Sequence, residues 1–194
     1  MSQPLNDIVG AILVGGKSSR MGQDKAFMPM GNQKMYEVVS NVLSSCGINQ
    51  HYFVGNSTLK PCIEDKVPHR GPLGGVYSFV DAVLNHDLRF QYALFLAVDM
   101  PLLNAEVIVN ILRYRAYHAS VYYAGHPLPF VMALSDPVLT VLKKLVLNKT
   151  NPGCSLKILH EVLESRILAI PSDLDWRFSN VNTPKEYQLA LRDI

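Results

Sequence analysis

Two stretches of the chain gather residues whose types and spacing suit phosphate chemistry, and a third sets amide side chains beside a helix cap. In the first, the apolar run Ile8-Val9-Gly10-Ala11-Ile12-Leu13-Val14 breaks into Gly15-Gly16, and Lys17, Ser18, Ser19, Arg20, Gly22, Asp24 and Lys25 follow. Glycines let a backbone approach a ligand closely, and cations beside exposed amides suit a polyphosphate. The second stretch is Asp99-Met100-Pro101, which ends the apolar segment Gln91-Tyr92-Ala93-Leu94-Phe95-Leu96-Ala97-Val98. A carboxylate at the tip of a buried strand is where a magnesium ligand for nucleotide phosphates would sit, and a plain helix cap is the alternative reading of Asp99. The third, Asn180-Val181-Asn182-Thr183-Pro184, places two amide side chains just before a helix start, with Thr183 as the cap and Pro184 in the first turn.

The first stretch has rivals. A Gly-rich turn with solvated charges would explain Gly15-Gly16-Lys17-Ser18 alone. A P-loop would use the same Gly16-Lys17-Ser18, but its strict pattern requires glycine where Ala11 stands. Ile12, Leu13 and Val14 also read as strand, leaving little loop to wrap a phosphate. No G-x-G-x-x-G occurs here, so a dinucleotide fingerprint is absent. None of these rivals accounts for Arg20, Asp24 and Lys25.

The elements that must hold these residues follow from periodicity. Ile8–Val14, Gln50–Val54, Ile63–Asp65 and Gln91–Val98 read as strands, whereas 35–45, 71–84, 105–114 and 136–147 read as helices. Phe27 to Asn32 reads as a turn. Alternating strands and helices predict an α/β fold: a single-domain Rossmann-like, mostly parallel twisted sheet with helices on both faces. Ser120–Ala124 and Phe130–Leu134, joined by Gly125-His126-Pro127-Leu128-Pro129, predict a small antiparallel excursion in the second half. His126 is tempting as a general base, yet a lone loop histidine is more often structural or solvated. Without repeats, linkers or low-complexity tracts, residues 1–194 read as one domain.

Composition bounds the function. The chain has 194 residues, 48% of them hydrophobic and 18% charged, an ordinary globular balance. A net charge of +2 gives no case for nucleic acid or a membrane surface. The three cysteines, Cys46, Cys62 and Cys154, form no C-x-x-C pair and no even-numbered disulfide framework. The N-terminus shows no secretory pattern, and no apolar run reaches the ~18 residues of a membrane span. A cytoplasmic protein is the expectation.

Leu13 to Lys25, read as L-V-G-G-K-S-S-R-M-G-Q-D-K, resembles the signature of molybdenum cofactor guanylyltransferases. These belong to the nucleotidyltransferases that activate sugars, polyols and cofactors. Related cytidylyltransferases usually carry Ala-Gly in place of Gly-Gly. The likeness extends along the chain, sharpest at 13–25, 99–101 and 180–184. Val14 departs from the expected alanine, and Cys154 stands where a basic residue is common, with Lys157 nearby. The resemblance implies transfer of GMP from GTP to the terminal phosphate of molybdopterin, with pyrophosphate leaving. It implies that Leu13, Gly15, Gly16, Lys25, Asn56, Asp65, Gly71 and Asp99 bind the nucleotide and that Asn56 faces the base. Arg20, Lys25 and Asp99 would be the catalytic residues, Asp99 holding Mg²⁺, and Asn180 and Asn182 would face the acceptor. A molybdoenzyme or chaperone would receive the product. A cytidylyltransferase is the near alternative; a P-loop NTPase or a non-catalytic GTP sensor is more remote.

Overall fold

The structure, a computed structural model, describes residues 5–14, 24–55, 58–86, 89–148 and 155–192. The apolar run before Gly15 forms β1 (Ile8–Leu13), with every side chain buried. A strand apolar on both faces has to lie inside a sheet covered on both sides. Accordingly, β1 pairs in parallel with β4 (His51–Val54) on one side and β6 (Tyr92–Ala97) on the other. Beyond β4 comes β5 (Cys62–Ile63), also parallel. Beyond β6 the sense changes: β8 (His126–Ala133) is antiparallel to β6 and to β7 (Ser120–Tyr123), and β9 (Arg166–Leu168) is parallel to β7. The sheet order is β5-β4-β1-β6-β8-β7-β9, so β8 alone runs against the others. The parallel sheet and its antiparallel excursion match the sequence reading.

Alternation along the strands sends side chains into two cores. Ile8 and Ile12 of β1 and Leu94 and Leu96 of β6 face one; Val9, Ala11, Leu13, Ala93 and Phe95 face the other. The first core is covered by α1 (Met35–Ser45), α3 (Ala105–Leu112) and α6 (Pro184–Ala190), the second by α2 (Gly71–His86), α4 (Asp136–Leu147) and α5 (Leu156–Val162). α1 contributes Met35, Val39 and Leu43, the apolar stripe expected of it, and Gly47 follows with φ of 84° just past its end. Gly10 is what lets α1 lie so close to the sheet. A Cβ there would come within 2.7 Å of Leu43 Cδ1 and 2.8 Å of His51 Cβ.

β5 lies at Cys62–Ile63 where the sequence reading has Ile63–Asp65, α3 stops at Leu112 rather than at residue 114, β9 has no counterpart in the sequence reading, and two turns differ as well. The segment read as a turn at Phe27 to Asn32 contains half of a two-residue-loop hairpin, β2 (Pro29–Met30) with β3 (Gln33–Lys34). The segment read as a connection, Gly125 to Pro129, is mostly strand, because β8 begins at His126 rather than near Phe130. The β7–β8 register pairs Tyr122 with Phe130 and Tyr123 with His126, so Pro127, Leu128 and Pro129 bulge from the ladder. Prolines in an apparent central strand argue for a turn, but a bulge tolerates them.

Candidate active site

β1 and β6 run in parallel, so Val14 and Asp99 emerge at the same sheet edge. β8 runs the other way, so its first residues reach that edge too. A cavity of about 390 Å³ opens there, lined by Leu13, Val14, Asp24, Lys25, Pro72, Ala97 to Met100, His126 to Leu128, Asn180 and Asn182. Its size lies in the range of small-molecule sites.

Lys25 is rooted before it reaches the cavity. It opens a short 3₁₀ turn, Lys25–Phe27, whose cap is Asp24; the Asp24 carboxylate accepts from the Ala26 N–H at 3.1 Å. Ala26 is fully buried, and the Met28 carbonyl accepts from the N–H of Met35 at the head of α1. From this base Lys25 Nζ lies 3.5 Å from Asp99 Oδ2 and donates to Asn182 Oδ1. The two ionic side chains are only 19% and 21% exposed. Burial pushes the Asp99 carboxyl above the ordinary aspartate range, and the Lys25 charge pulls it partly back.

The asparagine segment is tied to the same strand tip. Val181 N–H donates to the Asp99 carbonyl at 2.8 Å, which places Asn180 and Asn182 on either side of that bond and on the cavity wall. Glu186 completes the arrangement. Its carboxylate accepts from the backbone N–H groups of Asn182 and Thr183, each at 2.8 Å, while Thr183 Oγ1 accepts from the Glu186 N–H. The Asn182 bond is the main reason the Glu186 carboxyl is held below the usual range. Sequence reasoning passed over Glu186, although Thr183-x-x-Glu186 is the capping-box spacing that could have found it.

The nucleotide-side candidates divide. Leu13 and Lys25 line the cavity, as does Pro72 in the first turn of α2, whereas Asp65 and Gly71 are not part of its lining. Ser78 Oγ lies 2.9 Å from the Gly74 carbonyl and 3.3 Å from Asp65 Oδ1. A Cβ on Gly74 would stand 3.0 Å from the Val67 carbonyl and 3.3 Å from Asp65 Oδ1, so glycine is what admits the Asp65 carboxylate here. Burial raises the Asp65 carboxyl, and the Ser78 hydroxyl opposes the rise. Gly15, Gly16, Arg20, Asn56 and Cys154 lie outside the described residues. Lys157 is exposed on α5 and is not part of the cavity lining. His126 lines the cavity with its ring 4.9 Å from Phe178 and Nε2 4.0 Å from Asp175 Oδ1.

A hard divalent cation is commonly held by one or two carboxylates together with substrate phosphates. Asp99 fits that mode: a desolvated carboxylate at the cavity wall, disfavoured as a bare anion, with Lys25 as its counter-charge. Among the described residues no group of three or more His, Cys, Asp or Glu is placed to hold a metal by itself. Nor, among them, is any helix long and apolar enough to cross a membrane.

Comparison with known proteins places this geometry. A family model described as a MobA-like NTP transferase domain matches residues 10–160. The molybdenum cofactor guanylyltransferase of Xanthomonas euvesicatoria pv. vesicatoria (strain 85-10) is 29% identical, covering 95% of this chain and 94% of its own. Among solved structures, molybdopterin-guanine dinucleotide biosynthesis protein A from Archaeoglobus fulgidus superposes with a TM-score of 0.73 at 21% identity, over 95% of this chain and 97% of that one. The 4-diphosphocytidyl-2C-methyl-D-erythritol synthase of Anaerococcus prevotii reaches 0.72 at 10% identity, over 95% and 96%. The two structural likenesses establish the fold. With its matched segment carrying β1, Lys25 and Asp99, the chain belongs to the family of MobA-like NTP transferase domains and is a nucleotidyltransferase.

Proposed function

We propose that the protein transfers GMP from GTP to the terminal phosphate of molybdopterin. An acceptor phosphate oxygen bonds to the α-phosphorus, the α–β bridging bond breaks, and its electron pair leaves with pyrophosphate. The observation that carries this reading is the convergence of Lys25, Asp99 and Asn182 on one cavity at the sheet edge. Val14 and Asp24, which flank the Gly15–Gln23 stretch, line the same cavity. The name of the Xanthomonas relative supports both the guanine base and the acceptor.

In this reading the chain's task is positioning and charge neutralisation. A phosphate nucleophile is already ionised, so no strong base is required, consistent with a site whose principal pair is a lysine and a carboxylate. Leu13, Gly15, Gly16, Asn56, Asp65 and Gly71 bind the nucleoside side, with Asn56 toward the base. Lys25 and Arg20 offset negative charge on the transferring and leaving phosphates. Asp99 would hold Mg²⁺, which when bound neutralises phosphate oxygens as a Lewis acid. Asn180 and Asn182 orient the acceptor; Lys25 holds Asn182 in place until substrates compete for its ammonium. Residues 1–194 act as one domain, and a molybdoenzyme or chaperone in the cytoplasm takes the product; the buried Cys46 thiol suits a reducing compartment.

Cytidylyl transfer to the same acceptor is the second reading, favoured by the near-equal fold likeness to the diphosphocytidyl enzyme. The test is pyrophosphate release with molybdopterin and Mg²⁺, running GTP, CTP and ATP in parallel. Release with GTP alone supports the first reading, and release with CTP the second. Nucleotide hydrolysis without acceptor dependence would overturn both.

A further inference from the structure

His160 is a buried titratable residue that the reaction outlined above does not use. It sits in the last turn of α5 and is 2% exposed. Its ring stacks on Tyr122 at 4.0 Å and 2°, and meets Phe130 edge-on at 5.0 Å. Both nitrogens have partners: Nε2 lies 3.1 Å from the Pro127 carbonyl and Nδ1 3.3 Å from Ser165 Oγ. A carbonyl only accepts, so Nε2 must carry the proton. In the neutral ring Nδ1 then accepts from the Ser165 hydroxyl. Burial pushes the imidazole pKa down, which favours the neutral ring, while the Pro127 bond works the other way.

The partner carbonyl belongs to the cavity wall. Pro127 and Leu128 line the cavity, and they lie in the bulge where β8 leaves its register with β7. Pro127 and Pro129 have no N–H to give to a ladder. That stretch of wall therefore lacks the regular cross-strand bonds that fix the rest of β8. An aromatic residue at position 160 could supply the stacking; only a donor can hold the carbonyl.

We propose that His160 is a positioning residue: its Nε2–H anchors the Pro127 carbonyl and thereby fixes the Pro127–Pro129 bulge in the shape that receives the acceptor. The inference rests on the reading of this cavity as a nucleotidyl-transfer site in which Asn180 and Asn182, lining the same cavity as Pro127 and Leu128, orient the acceptor.

The experiment compares His160→Phe, which keeps a stacked ring without the donor, with His160→Gln, which keeps an N–H without the ring. Steady-state kinetics are read with molybdopterin and the nucleotide that wild type uses. His160→Phe should raise the acceptor KM about ten-fold or more, leaving kcat and nucleotide KM within about two-fold. His160→Gln should recover most of that loss. A packing role predicts the opposite order, so a worse acceptor KM in His160→Gln than in His160→Phe would overturn the proposal, as would an unchanged KM in His160→Phe. Should His160→Phe not fold, ring ¹⁵N shifts of wild type decide: protonated Nε2 with bare Nδ1 is expected, and the reverse tautomer overturns the anchor. That measurement needs no turnover. Absence of acceptor-dependent pyrophosphate release in wild type would sink the functional reading separately.

Discussion

Asp99 and Lys25 hold one another in an environment that suits neither alone. The Asp99 carboxyl titrates above its ordinary value because burial outweighs the Lys25 charge. A raised carboxyl contributes stability that is fullest below the unfolded-state pKa and is lost as pH rises through the folded value. The ionised form of Asp99 is therefore a stability cost retained at the site. Asp99→Asn should abolish metal-dependent transfer without lowering the melting temperature, read by pyrophosphate assay and calorimetry on the same sample. Full activity in Asp99→Asn would remove Asp99 as the cation's ligand. Lys25→Ala should cost roughly 10²-fold in kcat/KM, the scale of a lost electrostatic donor. It should also move the acid limb of the pH–rate profile upward, since the charge that lowers Asp99 is gone. Asp99 was legible in the sequence because it stands where an apolar strand pattern stops, and Lys25 because it closes the family-like signature at 13–25. Glu186 was not singled out, because its contact with the Asn182 N–H joins a helix's first turn to the residue before its cap.

Among the elements, α6 shows how a local cap becomes part of a site. The Thr183–Glu186 capping box closes the helix start and at the same time fixes the backbone of Asn182. Thr183→Ala should lower stability by about 1 kcal/mol in denaturant titration, the typical worth of such a cap. The helices were read well because their stripes and stops are local: Met35–Ser45 and Asp136–Leu147 have the same ends as the sequence reading gave them. The start of β8 was not legible. Pro127 and Pro129 signal a turn locally, and only the pairing of Tyr123 with His126, on the far side of a register shift, shows that strand begins before them. The β2–β3 hairpin was hidden for the opposite reason, each arm being too short to display an alternation.

For the molecule as a whole, the two-core division follows directly from alternation in β1 and β6, and the fold class was legible in the succession of strands and helices. Its pH response could not, because it depends on burial of histidines. Burial lowers the pKa of both His51 and His160. Groups depressed in this way give stability that is present above the unfolded imidazole pKa of about 6.5 and is lost as pH falls through the folded value. The histidine contribution to unfolding free energy should therefore be lost as pH falls below about 6.5, so the slope there should be shallower in His160→Gln than in wild type. An identical slope in the variant would show that His160 does not contribute.

The reversed sense of β8 has a further consequence. A strand running against its neighbours delivers a hairpin tip, Ala124–Gly125, to the edge where parallel strands deliver their ends. A Cβ on Gly125 would meet nothing within 4 Å, so space is open around this tip, although its φ of 78° favours glycine. Central strands carry Leu13, Val14 and Asp99 to the cavity, whereas His126 to Leu128 reach it from the end of this hairpin. A chimera with a longer insertion between Ala124 and His126 should keep its nucleotide-dependent thermal shift and lose or change its acceptor, which makes this hairpin the place where one ancestral chemistry could be redirected to new substrates.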